Sequence, residues 1–130
     1  MANTQAMCTS FKTEILSGIH ALGTTVIRAG TGADTIKAAL YLASATVNAA
    51  TTAYSVTGEV SGTGYSAGGV TATNATAPTS SGTTAYWTPS ASFTYTTVTL
   101  TTSFDCVLVY NSTQSNKAIS AHTFGAQTIT

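Results

Sequence analysis

Residues 104–110, FDCVLVY, form an apolar run broken on one face only by Asp105. A strand that is apolar on both faces must be covered on both, so this run is predicted to be central in a sheet. The polar stretch NSTQSN at 111–116 then joins it to a second strand at 118–124, which makes an antiparallel hairpin. Residues 127–130 begin another extended piece.

Other runs add to a sheet. Residues 34–47 alternate, with Ile36, Ala38, Leu40 and Leu42 on one face and Lys37, Ala39, Tyr41 and Ala43 on the other. Alanine favours helix, and a helical reading of DTIKAALYLASA stays open beside the strand. Shorter strands are expected at 70–75, 85–88 and 93–100, with connections near Pro78, Ser80-Ser81-Gly82 and Pro89. The last run changes phase, since Phe93 and Tyr95 share one face and Val98 and Leu100 the other, which suggests a β-bulge. One helix is predicted over 11–22, where Phe11, Ile15, Ile19 and Leu22 recur at helical spacing, Ser10 stands as N-cap and Gly23 as stop. Lys12 and Glu14 then fall on its solvent side.

Between the strands at 34–47 and 70–75 lies TTAYSVTGEVSGTGYSAGG, residues 51–69, within a long loop spanning 48–69. Its glycines permit tight turning and close chain approach. Length fits one domain, 1–130, with an arm at 1–10, the helix at 11–22 and a β region at 34–130. The class that follows is mainly β, an antiparallel β-sandwich or jelly-roll-like fold with one N-terminal α-helix.

Charge narrows function. Four Lys plus Arg offset four Asp plus Glu in 130 residues, 6% against the usual quarter. Such a surface has no electrostatic footprint for nucleic acid or an anionic membrane, and little self-repulsion to keep copies apart. No 18-residue apolar run suggests a membrane span, and MANTQAMCTSFKTEIL lacks the basic start and apolar core of a signal peptide.

Chemistry is sparse. Cys8, in the polar arm, and Cys106, inside the central strand, have no disulfide or zinc spacing behind them, so a free Cys8 and a buried, inert Cys106 are expected. His20 ends the helix and His122 lies in the hairpin, neither with a carboxylate nearby in sequence. Glu59 is a lone carboxylate in a neutral loop, suited to pairing with Arg28 or capping a backbone turn. General acid catalysis needs a second group, and only the remote Asp105 is offered for a glycan hydrolase. GTGYSAG at 62–68 resembles a phosphate loop but lacks its Lys-Ser/Thr end, and no GxSxG elbow surrounds Ser61 or Ser66. The residues singled out for an interface are Tyr54, Glu59, Tyr65, Tyr86 and Trp87. Of the adjacent pair Tyr86 and Trp87, one must point away from what the other buries.

The segments SFKTEILSGIH, IKAALYLASATV, TTAYSVTGEVSGTGYSAGGV and VLVYNSTQSNKAISAHTFG, in that order, resemble a family of small virion structural proteins of tailed bacteriophages. The resemblance implies a non-enzymatic, β-rich module without cofactor, metal or small-molecule substrate. It would be made in the host cytoplasm and located on the virion, bound to the major capsid protein and to copies of itself as a head decoration or cement protein. It also implies one further strand after FGAQT, supplied by more chain or by a neighbour. The alternative is a tail-associated fibre, knob or adaptor. A carbohydrate-binding module stacking sugars on Tyr65, Tyr86 or Trp87 is a third reading.

Overall fold

The computed structural model describes residues 2–16, 18–23, 33–73 and 76–130. It is mainly β and antiparallel, with one short helix near the N-terminus. Strands are β1 (Ala6–Met7), β2 (Ile36–Leu42), β3 (Gly62–Thr63), β4 (Val70–Thr71), β5 (Thr79–Ser81), β6 (Thr84–Tyr86), β7 (Thr99–Leu100), β8 (Phe104–Asn111) and β9 (Lys117–Gln127), and helix α1 is Thr9–Leu16. The principal sheet has five strands in the order β1-β9-β8-β2-β4, while β3-β7 and β5-β6 form two-stranded ribbons.

The predicted hairpin is β8–β9, and β8 is central as its two apolar faces require. Residues 36–42 are strand rather than helix. Ile36, Ala38, Ala39, Leu40 and Tyr41 are all buried, so both faces of β2 are covered and small alanines fit between layers. One buried cluster joins Tyr41, Cys106, Leu108 and Tyr110 to Cys8 and Phe11, with Tyr54, Trp87 and Phe93 packed against it. A second gathers Leu40, Val60, Val98, Leu100 and Phe104.

Several expectations need correction. The helix begins at Thr9 and ends at Leu16 rather than spanning 11–22. Gly18, at φ 68°, receives the chain in the left-handed region, and Gly18 N–H and Ile19 N–H donate to the carbonyls of Ile15 and Glu14, a Schellman stop one turn before Gly23. Ser10 is inside the helix, its hydroxyl buried without a partner among the described residues, and so is no N-cap. Glu14 is buried whereas Ile15 is half exposed, the reverse of the amphipathic reading. Cys8 is fully buried and not a feature of a polar arm.

In 93–100 only residues 99–100 are strand, and the phase change comes from a turn at Thr96–Thr97, with Thr97 at φ 54°, not from a bulge. The expected strand at 85–88 is β6, Thr84–Tyr86, paired with β5 through a turn at Gly82–Thr83, so Ser80 and Ser81 are strand and not connection. Residues 70–75 shorten to β4, and positions 74 and 75 lie outside the described residues. Of the expected 127–130 piece only Gln127 is strand, as the end of β9, and beyond it the Ile129 carbonyl accepts a hydrogen bond from Leu100 N–H.

Candidate interaction surface

The loop at 48–69 is built on Glu59. Tyr54 and Tyr65 donate their hydroxyls to its carboxylate at 2.7 and 2.6 Å, and Gly68 N–H donates at 2.8 Å. Turn capping, one of the two roles read for Glu59, is thus present; Arg28, the other, lies outside the described residues. More tyrosines tie the loop to the sheet. Tyr110 donates to the Gly68 carbonyl at 2.8 Å with its ring stacked on Tyr54 at 4.7 Å, and Tyr41 donates to the Ser55 carbonyl.

Where β4 stops after two residues, side chains continue its role along the outer edge of β2. Tyr95 donates to the Ala38 carbonyl at 2.7 Å, and Leu40 N–H donates to the Tyr65 hydroxyl at 3.0 Å. Beyond them Val60 N–H resumes backbone pairing on the Leu40 carbonyl. Phenol hydroxyls here do the work of a missing ladder, satisfying groups whose burial unpaired would cost about 1–3 kcal/mol each.

Burial, reinforced by the nearby Glu59 carboxylate, pushes the Tyr41 and Tyr110 hydroxyls up to about 12. Tyr54, Tyr65 and Tyr95 are raised for the same reasons. An acid whose folded pKa is raised contributes stability that is fully present below its unfolded value, about 10, and is lost as pH rises through the folded one. Urea midpoints should therefore hold up to about pH 9.5 and fall steeply toward about pH 12. Each hydroxyl that keeps its proton in the folded chain while the unfolded chain has released it removes about 1.4 kcal/mol of stability per pH unit. Tyrosinate absorbance should rise together with unfolding, and a titration complete in the folded protein near pH 10 would contradict the network.

A second polar cluster joins the helix to the hairpin. Asn111 Oδ1 accepts from Thr113 and Gln114 N–H, so its amide nitrogen donates, to Asp34 Oδ2 at 2.7 Å and His20 Nδ1 at 3.0 Å. With Nδ1 an acceptor, His20 donates from Nε2 to Glu14 Oε2 at 2.8 Å, while Lys117 holds Glu14 Oε1 at 2.8 Å. Burial raises the Glu14 carboxyl, but its bonds to Lys117 and His20 outweigh that and leave it lowered. His20 thus has a carboxylate partner six positions away, contrary to the sequence reading. Among the described residues its hydrogen-bond partners are Glu14 and Asn111, neither a hydroxyl nor a thiol. Asn111, the first residue of an Asn-Ser-Thr triplet, is also fully buried.

Of the two carboxylates offered for a hydrolase, Glu59 sits among tyrosines and Asp105 accepts from Asn3 at 2.6 Å, and they share no hydrogen-bond partner among the described residues. Ser120 Oγ and His122 Nε2 stand 2.9 Å apart on β9, and no described carboxylate is bonded to His122. Cys8 and Cys106 are free, buried thiols, both pushed up to about 11 by desolvation, which disfavours the reactive thiolate.

An apolar groove of about 660 Å³ opens beside the helix. Its floor is Met7 of β1, Val109 of β8 and Ser120 and His122 of β9; one wall is Phe11 and Ile15 of α1, the other Tyr86, Trp87, Pro89 and Phe93. Trp87 is half buried against the core and fixed by donating from Nε1 to the Thr76 carbonyl at 3.0 Å. Met7, Ile15 and Tyr86 remain 45–50% exposed. Of the five interface candidates, Tyr86 and Trp87 line this groove, whereas Tyr54, Glu59 and Tyr65 turn their polar ends into the loop network. Met7, Ile15 and His122, which sequence spacing did not single out, complete it because β1, α1 and β9 converge there.

No family model matches this chain, and neither a curated protein nor a solved structure does.

Proposed function

We propose that the chain is a structural subunit of a bacteriophage particle, a decoration or cement protein that binds the shell of major capsid protein in many copies. The observation that carries this reading is the open apolar groove between α1, β9 and the 78–93 arm, in a chain with only eight charged residues. Half-exposed Met7, Ile15 and Tyr86 around a fixed Trp87 are the composition of a contact waiting for a surface. The few polar groups in the groove, His20, Thr88, Ser120 and His122, fit a sugar poorly, because a glycan's hydroxyls need several convergent partners.

Shells assembled without the chain should lose resistance to heat or chelation and regain it when the purified chain is added. Ile15→Lys places a charge in the groove at a half-exposed position, so folding should persist while shell binding weakens roughly tenfold or more. Shells equally robust without the chain would overturn the cementing role. Copy number in the virion separates this reading from a tail component: it should scale with the shell subunits, not with the few copies of a tail part.

A further inference from the structure

The outer edge of β9 is only partly covered. β1 pairs with it at Ala121 and Ser120 and goes no further, because at Thr4 the arm turns to donate its N–H to Val47. His122 to Gln127 therefore present an edge with no strand beside it among the described residues, about 20 Å long. All of these residues except half-buried Thr123 are exposed, and none is Lys, Arg, Asp, Glu or Pro, so of the features that commonly keep edges apart only the register irregularity opposite Asp105 is present.

Two further observations say what occupies the slot. Phe104 pairs with Gln127 and Cys106 with Thr123, so Phe124, Gly125 and Ala126 stand opposite Asp105 alone and have no partner in the β8 register. Gly125 is also the one described glycine with neither a positive φ nor a neighbour within 4 Å of the Cβ it lacks. Nothing among the described residues requires glycine there. A neighbour close against that backbone would.

We infer that two copies pair antiparallel through residues 122–127 of β9 across a two-fold axis. Centred between positions 124 and 125, the arrangement sets His122 opposite Gln127 and Phe124 opposite Gly125 of the second copy. The slot is limited by β1 at one end and by the departure of the chain toward Leu100 at the other, so its length matches the segment that fills it. Phe124, 41% exposed and edge-on to Phe104 at 5.5 Å, then covers the partner's bare glycine backbone, a pairing that offsets the weakness of glycine in a strand. The two five-stranded sheets join into one, an isologous contact that satisfies both edges together. This deepens the structural-subunit reading by naming how copies meet, but its test is made on the free chain and fails or succeeds apart from the shell experiment.

Sedimentation equilibrium of the purified chain should show a monomer–dimer equilibrium, in roughly the micromolar range for so small a contact. Gly125→Val has open space in the monomer and suits a strand, so thermal stability should be kept or raised while the dimer is lost. A second variant, His122→Cys with Gln127→Cys, should give a covalent dimer on mild oxidation. The two new thiols are too far apart along one strand to close within a chain, and the native thiols are buried. A chain that stays monomeric at its solubility limit, or a Gly125→Val protein that still dimerises, would overturn the assignment.

Discussion

Glu59→Gln should lower stability by about 3–5 kcal/mol, a large part of the 5–15 kcal/mol typical of a domain. Three donors converge on the carboxylate, two phenols and the Gly68 N–H. With the amide oxygen kept for Tyr65 and Gly68, the NH2 faces the Tyr54 hydroxyl, which can then only accept, so its half-buried proton loses its acceptor and every charge-assisted bond to the carboxylate is lost. The damage spreads, because Tyr65 accepts from Leu40 N–H and Tyr110 holds the carbonyl of the same Gly68. Thermal unfolding should shift down by on the order of 10–20 °C. Double variants with Tyr65→Phe should be strongly non-additive, since both changes break one network. A shift of a degree or two would mean that the loop is held by something other than this carboxylate.

Gly69→Ala should be comparably damaging, by a different route. Gly69 sits at φ 71°, and a Cβ there would meet the Ala38 carbonyl oxygen at 1.7 Å. That contact is with backbone of the central sheet, so the chain entering β4 has to move away from β2. The Ala72-to-Ile36 bond and the Tyr95-to-Ala38 bond would be strained together. A loss of about 3 kcal/mol or more is expected by denaturant unfolding. Gly82→Ala is the control: its φ is also positive, 57°, but nothing lies within 4 Å, so only the smaller conformational cost of roughly 1 kcal/mol applies. Equal losses at the two positions would show that close approach to β2 is not what requires Gly69.

The hairpin was legible because apolar residues on both faces of 104–110 leave a strand no place but the middle of a sheet. Residues 36–42 were legible by alternation, even against alanine's helical preference. Gly18 was as visible as Gly23, but the apolar spacing of Ile19 and Leu22 argued for continuing the helix, and only the Schellman bonds decide between the two glycines. The burial of Glu14 could not be read locally, since Lys117, one of the partners that make it tolerable, is 103 positions away. Glu59 carried a signal of its own, with tyrosines five positions before and six after it, within reach across a glycine-rich loop. The groove was half legible: aromatic Tyr86 and Trp87 stood out, while Met7, Ile15 and His122 come together only through the β1-β9 pairing and the seat of α1.

Trp87 is the single tryptophan of the chain and lines the groove, which makes it a reporter of what covers that surface. The chain can be labelled at this position with a tryptophan analogue excited apart from the shell's own tryptophans, and quenching by acrylamide compared for the free and shell-bound forms. Strong protection on binding, lost in parallel with binding in Ile15→Lys, is the result expected if the groove is the attachment surface. Equal quenching in both forms, with the chain firmly attached, would place the contact elsewhere and contradict the role assigned to it.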